Sequence, residues 1–345
     1  MTHDLSIRRQ GCLGRITLTR VKHLNALTQA MVSDIRTAIA GWQTDPAIRL
    51  IVIDAEGERA FCAGGDILAL YQRAQEGDID TARAFWATEY RMNLEIGASE
   101  KPVVTFLHGF VMGGGIGLGC HAAHRFCDPE TVFAVSQAKI GLAPDAGASF
   151  LLALAPGRMG EYLATTGDRF HGADALWLGF ADALYPRGQQ ADLIALLAET
   201  GDLAALPPPL APNTPPALAL LTEVNTHFAG QTLADIWLSL KTSETPFAQA
   251  TKAKMLENSP LAMSAAVEML HRIGDGWPLI RALDLEYRYA HRALVQGDLA
   301  PGIRARLIDR GTPPLWRHSA PDRVPGVDFA AMLAPLGPAA WSAHD

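Results

Sequence analysis

The chain has 345 residues, of which 49% are hydrophobic and 19% are charged, and its formal net charge is −7 at pH 7. This length and composition allow one large domain, or a domain with an appendage, around a sizeable apolar core, and they exclude a disordered or membrane-embedded protein. The acidic balance argues against a nucleic-acid partner, because a surface that follows phosphates normally carries a basic excess.

Cysteine usage and the first ten residues predict a cytoplasmic protein. The four cysteines form no CxxC pair, and no cluster of histidine and cysteine has the spacing of a zinc site. Residues 1–10 lack the apolar stretch of a secretory signal, and no apolar run approaches the roughly 20 residues that a membrane span needs. We therefore expect free thiols, no metal, no membrane contact and a cytoplasmic location.

Residue patterns predict an α/β arrangement in the first two-thirds of the chain. Alternation over 14–19 predicts a strand, apolar residues at helical spacing over 30–42 predict a helix, and the β-branched run 50–54 predicts a buried strand. Strand, helix and strand in this order indicate a βαβ unit. A further helix is predicted within 82–96 and a further strand within 101–107.

Composition divides the chain into three regions. Residues 200–216 shift to proline and alanine, and proline cannot fill the interior of a helix or a sheet, so we predict a connection there. Residues 1–199 form the predicted α/β core, and residues 217–345 are rich in helix formers and should be mainly helical. The tail beyond residue 312 contains two proline-rich turns and is expected to be irregular.

Two glycine-rich segments carry the strongest chemical signal. Residues 59–67 (RAFCAGGDI) and 108–119 (HGFVMGGGIGLG) each follow a predicted strand and precede a helical pattern. Such turns can aim two backbone N–H groups at one oxyanion. Taken singly, each segment is also consistent with a tight turn and close helix–sheet packing. Neither has the spacing of a dinucleotide fingerprint or the lysine of a phosphate-binding loop.

These segments, together with residues 19–27 (TRVKHLNAL), resemble the enoyl-CoA hydratase/isomerase (crotonase) superfamily. The first string is similar to its coenzyme A contact segment, and residues 61–67 and 112–115 are similar to its two oxyanion-hole segments. The resemblance implies a crotonase-like (ClpP/crotonase) α/β spiral of ββα units with a helical C-terminal part. It also implies an acyl-CoA substrate bound by the core 1–199.

Within the superfamily the chain is most similar to the 3-hydroxyisobutyryl-CoA hydrolases of valine catabolism. Their motifs resemble residues 89–93 (EYRMN), 140–145 (IGLAPD) and 302–309 (GIRARLID), and the chain has their length. The resemblance implies hydrolysis of a short 3-hydroxyacyl-CoA. It implies no separate cofactor, because coenzyme A is part of the substrate.

The resemblance also assigns roles to the motif residues. The backbone N–H groups of Gly65 and Gly114 would hold the thioester oxygen, since fixed amide dipoles stabilise the negative charge that hydrolysis places there. Lys22 and His23, with Arg20 beside them, would lie at the phosphates and adenine of coenzyme A. The other implied substrate contacts are Ala63, Gly64, Asp66, Ile67 and Gly113.

Two positions lack a carboxylate that relatives carry. Ordinary hydratases have a glutamate at the position of Gly117. Both this chain and the hydrolases that it resembles lack that glutamate. The hydrolases have a glutamate eight residues before their aspartate, and here that position is Gln137. A neutral amide can hydrogen-bond a hydroxyl or a water, but at pH 7 it cannot accept a proton or attack as a carboxylate.

Asp145 and Glu89 are the remaining candidates for acid, base or nucleophile. Asp145 could act as a base with a raised pKa, or attack the carbonyl carbon to form an anhydride. Its alternative role is to cap the helix expected near Ala148. Glu89 could orient the 3-hydroxyl group or a water, and its alternative is a solvated position on a helix surface.

Three functions stay open at this point. The first is the hydrolase, and the second is an enoyl-CoA hydratase or isomerase in which Asp145 or Glu89 is the sole acid or base. The third is a non-catalytic acyl-CoA-binding protein, which Gln137 keeps open. The sequence also leaves open a homo-oligomer, and whether the C-terminal segment, which departs from the hydrolases at residues 298–302, closes over the site.

Overall fold

A computed structural model describes residues 4–274 and 276–343 of the chain. Residues 1–3, 275, 344 and 345, which the predicted regions 1–199 and 217–345 include, lie outside the described residues. The predicted boundaries at residues 199 and 216 stay predictions. The chain forms two compact units, the first from Met1–Asp66, Thr88–Phe133 and Phe170–Pro216, and the second from Ile67–Ala87, Ala134–Arg169 and Ala217–Asp345.

Two sheets organise the strands. The strands are β1 (Leu5–Gln10), β2 (Leu13–Leu18), β3 (Leu50–Ala55), β4 (Ala60–Cys62), β5 (Val103–Leu107), β6 (Phe110–Met112), β7 (His124–Cys127), β8 (Val132–Ala134), β9 (Arg169–Phe170) and β10 (Ala183–Leu184). The larger sheet has the order β1-β2-β3-β5-β7-β10 and the smaller has the order β4-β6-β8-β9. The larger sheet is parallel from β2 onward, and β1 is its antiparallel edge strand.

Helices connect these strands and make up most of the second unit. They are α1 (Gln29–Gln43), α2 (Ile67–Gln75), α3 (Ile79–Gly97), α4 (Gly114–Cys120), α5 (Ala148–Ala153), α6 (Met159–Thr166), α7 (Gly172–Trp177), α8 (Gln190–Thr200), α9 (Leu221–His227), α10 (Leu233–Lys241), α11 (Pro246–Leu256), α12 (Pro260–Arg272), α13 (Leu279–Gln296), α14 (Leu299–Ile303) and α15 (Gly326–Met332).

The predicted βαβ unit is confirmed. Strands β2 and β3 pair in parallel, and α1 connects them. The helix begins where Thr28 accepts a hydrogen bond from the backbone N–H of Met31, and its buried face carries Met31, Val32, Ile35 and Ile39. The predicted helix within 82–96 and strand within 101–107 correspond to α3 and β5.

The core of the first unit lies between the larger sheet and α8. Alternate strand residues point toward one face of the sheet, and apolar residues of α8 recur at helical spacing to meet them. The buried cluster consists of Leu13, Leu50, Val52, Val104, Phe106, Phe126, Tyr185, Leu193, Ile194, Leu197 and Ala198. This packing fixes β3 and β5, the two parallel strands that precede the glycine-rich segments along the chain.

The second unit is helical after residue 216, as predicted. Its central helix α12 is buried along most of its length and packs against α5, α6, α13 and α15. The expectation of an irregular tail was wrong at α15, where Met332 and Leu333 are 2% and 0% exposed. With Phe329 these residues form an i, i+3, i+4 apolar group that supports a short amphipathic helix.

The proline-rich residues 201–216 are mostly exposed, and Leu203–Ala205 forms a single 3₁₀ turn. Two hydrogen bonds join this segment to the strand region around Leu184 in the same unit. They run from Tyr185 Oη to the Pro207 carbonyl and from Leu210 N to the Leu184 carbonyl, both at 2.9 Å. The four cysteines are free thiols, as expected. Among the described residues, no helix is long and apolar enough to cross a membrane.

Candidate active site

The two glycine segments lie side by side in the first unit. Strands β4 and β6 pair in parallel, so the turns that follow them leave the smaller sheet at the same edge. Gly64 has φ +114° and Gly113 has φ +50°, a region that L side chains rarely adopt. A Cβ on Gly64 would lie 3.4 Å from the backbone nitrogen of Gly114, so the two turns are in contact.

Gly65 and Gly114 each present a backbone N–H group at this edge. Gly114 is the first residue of α4, where an N–H group has no partner within the helix. The nitrogen of Gly65 lies 3.3 Å from the position that a Cβ on Gly114 would take. Within the described residues, neither N–H group donates a hydrogen bond. Two neighbouring donors of this kind are the requirement for an oxyanion hole.

The carboxyl group of Glu89 lies directly beside Gly114. Glu89 is on α3 and is 1% exposed, and a Cβ on Gly114 would collide with its Oε1. The interpretation of Glu89 as a solvated helix-surface residue is therefore wrong. Burial raises the pKa of the nearby Cys62 thiol to about 12, and the charge of Glu89 adds to that effect. Cys62 therefore stays a neutral thiol at physiological pH.

Residues 19–27, which resemble the coenzyme A contact segment of the crotonase superfamily, are joined to the first glycine turn by hydrogen bonds. Asn25, in a left-handed conformation with φ +55°, donates from Nδ2 to the carbonyls of Glu56 and Ala60. The backbone of Leu27 donates to the Gly64 carbonyl at 2.8 Å. These bonds fix the loop relative to the glycine turn that presents Gly65.

Within that loop the cations have different environments. The Arg20 guanidinium donates to Asp66 Oδ2 at 2.7 Å and to the Ala26 carbonyl at 3.1 Å, so it stabilises the loop. Lys22 and His23 lie on the exposed 3₁₀ turn Val21–His23. Their side chains are accessible to a phosphate group, whereas the Arg20 side chain is already held by a carboxylate.

Gln137 and Asp145 meet in the second unit. Gln137 Nε2 donates to Asp145 Oδ1 at 2.7 Å, and the two residues are 6% and 5% exposed. Burial raises the pKa of Asp145 to about 6, and the hydrogen bond from Gln137 opposes that rise by stabilising the ionised form. Asp145 is thus a buried carboxyl group that still ionises near neutral pH.

The bond to Asp145 also orients the Gln137 amide. Because an ionised carboxylate only accepts hydrogen bonds, the NH₂ group of Gln137 must face Asp145. The Oε1 atom of Gln137 is buried and has no hydrogen-bond partner among the described residues. Gln137 therefore offers one acceptor, which suits a hydroxyl group or a water.

The C-terminal helices hold the turn that carries Gln137. This turn is the 3₁₀ segment Gln137–Ile140, and it ends at Gly141 with φ +80°. The hydroxyl of Tyr289 on α13 donates to the Gly141 carbonyl at 3.2 Å. Helix α14 packs against the turn so closely that a Cβ on Gly302 would collide with the Ile140 carbonyl. Residues 299–303 thus support the turn that carries Gln137.

Asp145 does not cap the following helix. Its backbone carbonyl accepts from Ala148 N at 3.0 Å, while its carboxylate is engaged by Gln137. The first N–H groups of the α5 region, those of Gly147 and Ser149, donate instead to the carboxylate of Glu286 at 2.7 and 2.9 Å. The alternative capping role for Asp145 is therefore wrong.

Glu286 is a polar residue of this region that the sequence analysis missed. A signal was present, because Ala282, Glu286, Tyr289 and Ala293 follow helical spacing along one face of α13. A glutamate on an otherwise apolar helix face needs hydrogen-bond partners for its carboxyl group once that face is buried.

The structure brings the candidate residues together in two groups. Gly64, Gly65, Asp66, Gly113, Gly114 and Glu89 lie around the glycine turns of the first unit, with Ala63 at the end of β4. Gln137 and Asp145 are paired in the second unit, where Ile67 begins α2. That these residues bind and hydrolyse a thioester stays a prediction from the sequence.

Comparison with known proteins identifies the family. The family model for enoyl-CoA hydratase/isomerase matches residues 13–333. The chain is 33% identical to the mitochondrial 3-hydroxyisobutyryl-CoA hydrolase of Gallus gallus, covering 97% of this chain and 89% of that protein. It is 32% identical to the protein of the same name from Homo sapiens, with the same coverage.

Solved structures agree with this match. The structure of an enoyl-CoA hydratase from Rhodobacter sphaeroides has a TM-score of 0.94 at 47% identity, over 98% of this chain and 99% of that chain. A carnitinyl-CoA dehydratase from Mycobacterium thermoresistibile has a TM-score of 0.94 at 34% identity, over 99% of both chains. The predicted crotonase-like fold is confirmed, and the chain belongs to the enoyl-CoA hydratase/isomerase family of the crotonase superfamily.

Proposed function

We propose that this chain hydrolyses the thioester of a short 3-hydroxyacyl-CoA, with 3-hydroxyisobutyryl-CoA as the preferred substrate. The observation that carries the proposal is the Gln137–Asp145 pair. Hydrolysis near pH 7 needs a group that accepts a proton or attacks carbon, and the buried carboxylate of Asp145 can do either. Gln137 can do neither, but its hydrogen bond favours the ionised form of Asp145.

In the proposed reaction the carbonyl carbon gains an oxygen and loses sulfur. Either Asp145 removes a proton from water as the water attacks, or the Asp145 carboxylate attacks and water then opens the anhydride. In both routes the C–S bond breaks, the coenzyme A sulfur leaves and takes up a proton, and the acid is released. The N–H groups of Gly65 and Gly114 would stabilise the oxyanion, a contribution worth about 100–1,000-fold in rate per donor.

The acyl group is inferred from the relatives and from polar groups of the chain. Two relatives of about one-third identity are named 3-hydroxyisobutyryl-CoA hydrolase, which supports this acyl chain. The buried Oε1 of Gln137 is an acceptor suited to a substrate hydroxyl group. The buried carboxyl of Glu89 beside Gly114 is a second candidate to orient that hydroxyl or a water.

A second candidate function is enoyl-CoA hydration. The observation that favours it is the 47% identity to the solved structure of an enoyl-CoA hydratase. Against it stands Gly117, since the resemblance places the second carboxylate of ordinary hydratases at this position. In a hydratase of this chain, Asp145 or Glu89 would have to act as the sole acid and base.

One experiment separates these functions. Purified protein is incubated with 3-hydroxyisobutyryl-CoA, 3-hydroxypropionyl-CoA, acetyl-CoA and crotonyl-CoA, and both free thiol and loss of the enoyl chromophore are recorded. The proposal expects thiol release that is fastest with the 3-hydroxyacyl thioesters. Loss of the enoyl chromophore without thiol release would establish the hydratase. Binding of the thioesters with neither reaction would establish an acyl-CoA-binding protein.

Two predictions from the sequence accompany this proposal, and one point stays open. We propose a cytoplasmic location, although the relatives above carry the word mitochondrial in their names. We propose that no cofactor is needed beyond the coenzyme A of the substrate. A homo-oligomer stays open.

A further inference from the structure

Glu286 is a buried carboxyl group for which the proposed reaction has no direct use. It lies on the buried face of α13 and is 1% exposed. Its buried neighbours on that helix include Ala282, Leu283 and Tyr289. A carboxyl group in such a place is unfavourable unless donors surround it. Its position therefore needs an explanation in terms of what it binds.

The donors are the residues that follow Asp145. Glu286 Oε2 accepts from Gly147 N at 2.7 Å, and Oε1 accepts from both the backbone N and the hydroxyl of Ser149. After Asp145 the chain turns through two left-handed residues, Ala146 at φ +55° and Gly147 at φ +80°, and the second of these is one of the donors. An alanine rarely adopts this conformation unless surrounding contacts impose it.

The contacts of Glu286 are of the kind that imposes such a turn. One oxygen of the Glu286 carboxyl group accepts from Gly147 N within the turn, and the other accepts from Ser149 N just after it. On its near side, Asp145 is fixed by the hydrogen bond from Gln137. Two contacts thus orient the carboxyl group of Asp145. One is the hydrogen bond from Gln137, and the other is the turn after Asp145, which the carboxyl group of Glu286 holds.

We propose that Glu286 is a positioning residue for Asp145, which holds the left-handed turn at residues 146–147 and thereby aims the Asp145 carboxyl group. The inference rests on the proposed function, because Asp145 is the base or nucleophile of that reaction. It adds a role for a residue on α13 that does not itself need to touch the substrate.

The electrostatics of the pair agree with this geometry. Burial raises the pKa of Glu286 to about 8, the charge of Asp145 adds to the rise, and the donors from Gly147 and Ser149 oppose it. Burial raises the pKa of both carboxyl groups, and the charge of Asp145 opposes the ionisation of Glu286, so the two groups titrate as a coupled pair.

Several other charged groups on and around α13 are engaged away from Glu286, and Arg292 of α13 donates to the backbone carbonyls of Met332 and Ala334. Helices α5, α12, α14 and α15 pack against α13, and Arg83 of α3 donates to the His291 carbonyl. The pairs are Asp284–Arg288 within α13, Glu268–Arg272 within α12, His271 of α12 with Glu161 of α6, and Asp328 of α15 with His318. Asp145 is the ionisable group that acts on Glu286.

The test compares Glu286→Gln with Glu268→Gln, a partly exposed glutamate that pairs with Arg272. A glutamine at 286 keeps the shape but replaces one acceptor oxygen by an NH₂ group, which must face a backbone N–H. We expect kcat for thioester hydrolysis to fall about 10- to 100-fold with KM within about twofold, whereas Glu268→Gln keeps both values. A loss of structure alone would lower the folded fraction and not the kcat of the folded enzyme.

Unchanged kcat in a folded Glu286→Gln enzyme would overturn the proposal. If that variant does not fold, Ser149→Ala takes its place, since it removes one of the three donors and leaves both backbone bonds. We expect its kcat to fall about threefold at constant KM, in line with the loss of a single modest hydrogen bond. A kcat equal to that of the unaltered protein would overturn the proposal by this route.

An activity-independent measurement keeps the inference separate from the proposed function. If the unaltered protein releases no thiol, the proposed function fails, and the ¹³C signal of the Asp145 carboxyl group decides the inference. That signal is assigned by its absence in Asp145→Asn. We expect it to titrate in two steps, one of which reports the ionisation of Glu286, and we expect only one step in Glu286→Gln. A single step in the unaltered protein would show that Glu286 does not act on Asp145.

Discussion

Gln137 donates a hydrogen bond to Asp145 over 2.7 Å, and both side chains are more than nine-tenths buried. This bond replaces the carboxylate pair that the resemblance to the hydrolases would place here. Two carboxylates at this distance would share a proton, whereas an amide stabilises the ionised aspartate. The substitution therefore removes one carboxylate and makes the other easier to ionise.

The first prediction concerns the pH dependence of turnover and the variant Gln137→Leu. A base or nucleophile acts when ionised, so kcat should rise with pH around the Asp145 pKa of about 6 and be lost as pH falls through it. Leucine removes a donor to a buried charge, which is worth about 1.5–3 kcal/mol, or about one to two pKa units. The midpoint of the kcat–pH profile should move up by that amount.

A midpoint that stays near 6 in Gln137→Leu would mean that the glutamine does not control the ionisation of Asp145. The midpoint is the appropriate measurement, because Gln137 can also contact the substrate and so change the height of the profile.

The second prediction is that Gln137→Glu raises hydrolysis above neutral pH. It restores the carboxylate that the hydrolases carry at this position, and above neutral pH at least one member of the pair is ionised. Below about pH 6 the two carboxyl groups hold protons more tightly, so the gain should disappear there. Measured kcat from pH 5 to 9 checks this, and a lower rate than that of the unaltered protein at every pH would refute it.

The third prediction concerns the space at Gly114. A Cβ there would collide with Glu89 Oε1 and approach the Gly65 nitrogen to 3.3 Å, so Gly114→Ala should displace the two donors and lower kcat at least about 100-fold. Gly41→Ala is the matched control, since Gly41 lies in α1 with no atom within 4 Å of the added carbon. The control should keep its activity and gain up to about 1 kcal/mol in unfolding free energy. Equal kcat values in the two variants would remove the oxyanion-hole assignment.

The fourth prediction concerns the exposed Lys22. If it binds a phosphate of coenzyme A, Lys22→Ala should raise KM for the acyl-CoA about three- to tenfold, and the effect should weaken at high salt. The internal control is the N-acetylcysteamine thioester of the same acid, which carries no phosphate. Its kinetics should not change. A KM that rises equally for both thioesters would show that Lys22 acts through the loop and not through phosphate.

Motif order made the fold and much of the candidate site predictable. The predicted strands within 50–54 and 101–107 correspond to β3 and β5, which pair in parallel and precede the two glycine segments. The short strands β4 and β6 inside those segments were not predicted. The apolar periodicity of α1 and the β-branched run of β3 were also sufficient to locate them. In each case the determining interaction is local in sequence, or follows from strand pairing alone.

Contacts between distant segments were not predictable. Glu286 is 141 positions from Asp145, and nothing local in either segment reveals that it holds the backbone after Asp145. The burial of Glu89 against Gly114 is of the same kind, since its helix also has a solvated face. Side-chain to backbone bonds across the fold depend on packing that residue patterns do not encode.

The most direct test of the central claim is the rate of thiol release from 3-hydroxyisobutyryl-CoA by the unaltered protein and by Asp145→Asn. Asparagine keeps the size of the side chain but cannot accept a proton or attack carbon. We expect the unaltered protein to release thiol and Asp145→Asn to lower kcat about 100-fold or more at similar substrate affinity. A surface control, Asp192→Asn, should keep the rate of the unaltered protein. Full activity in Asp145→Asn would contradict the role of Asp145 as base or nucleophile. It would assign that role to Glu89 or to a bound water.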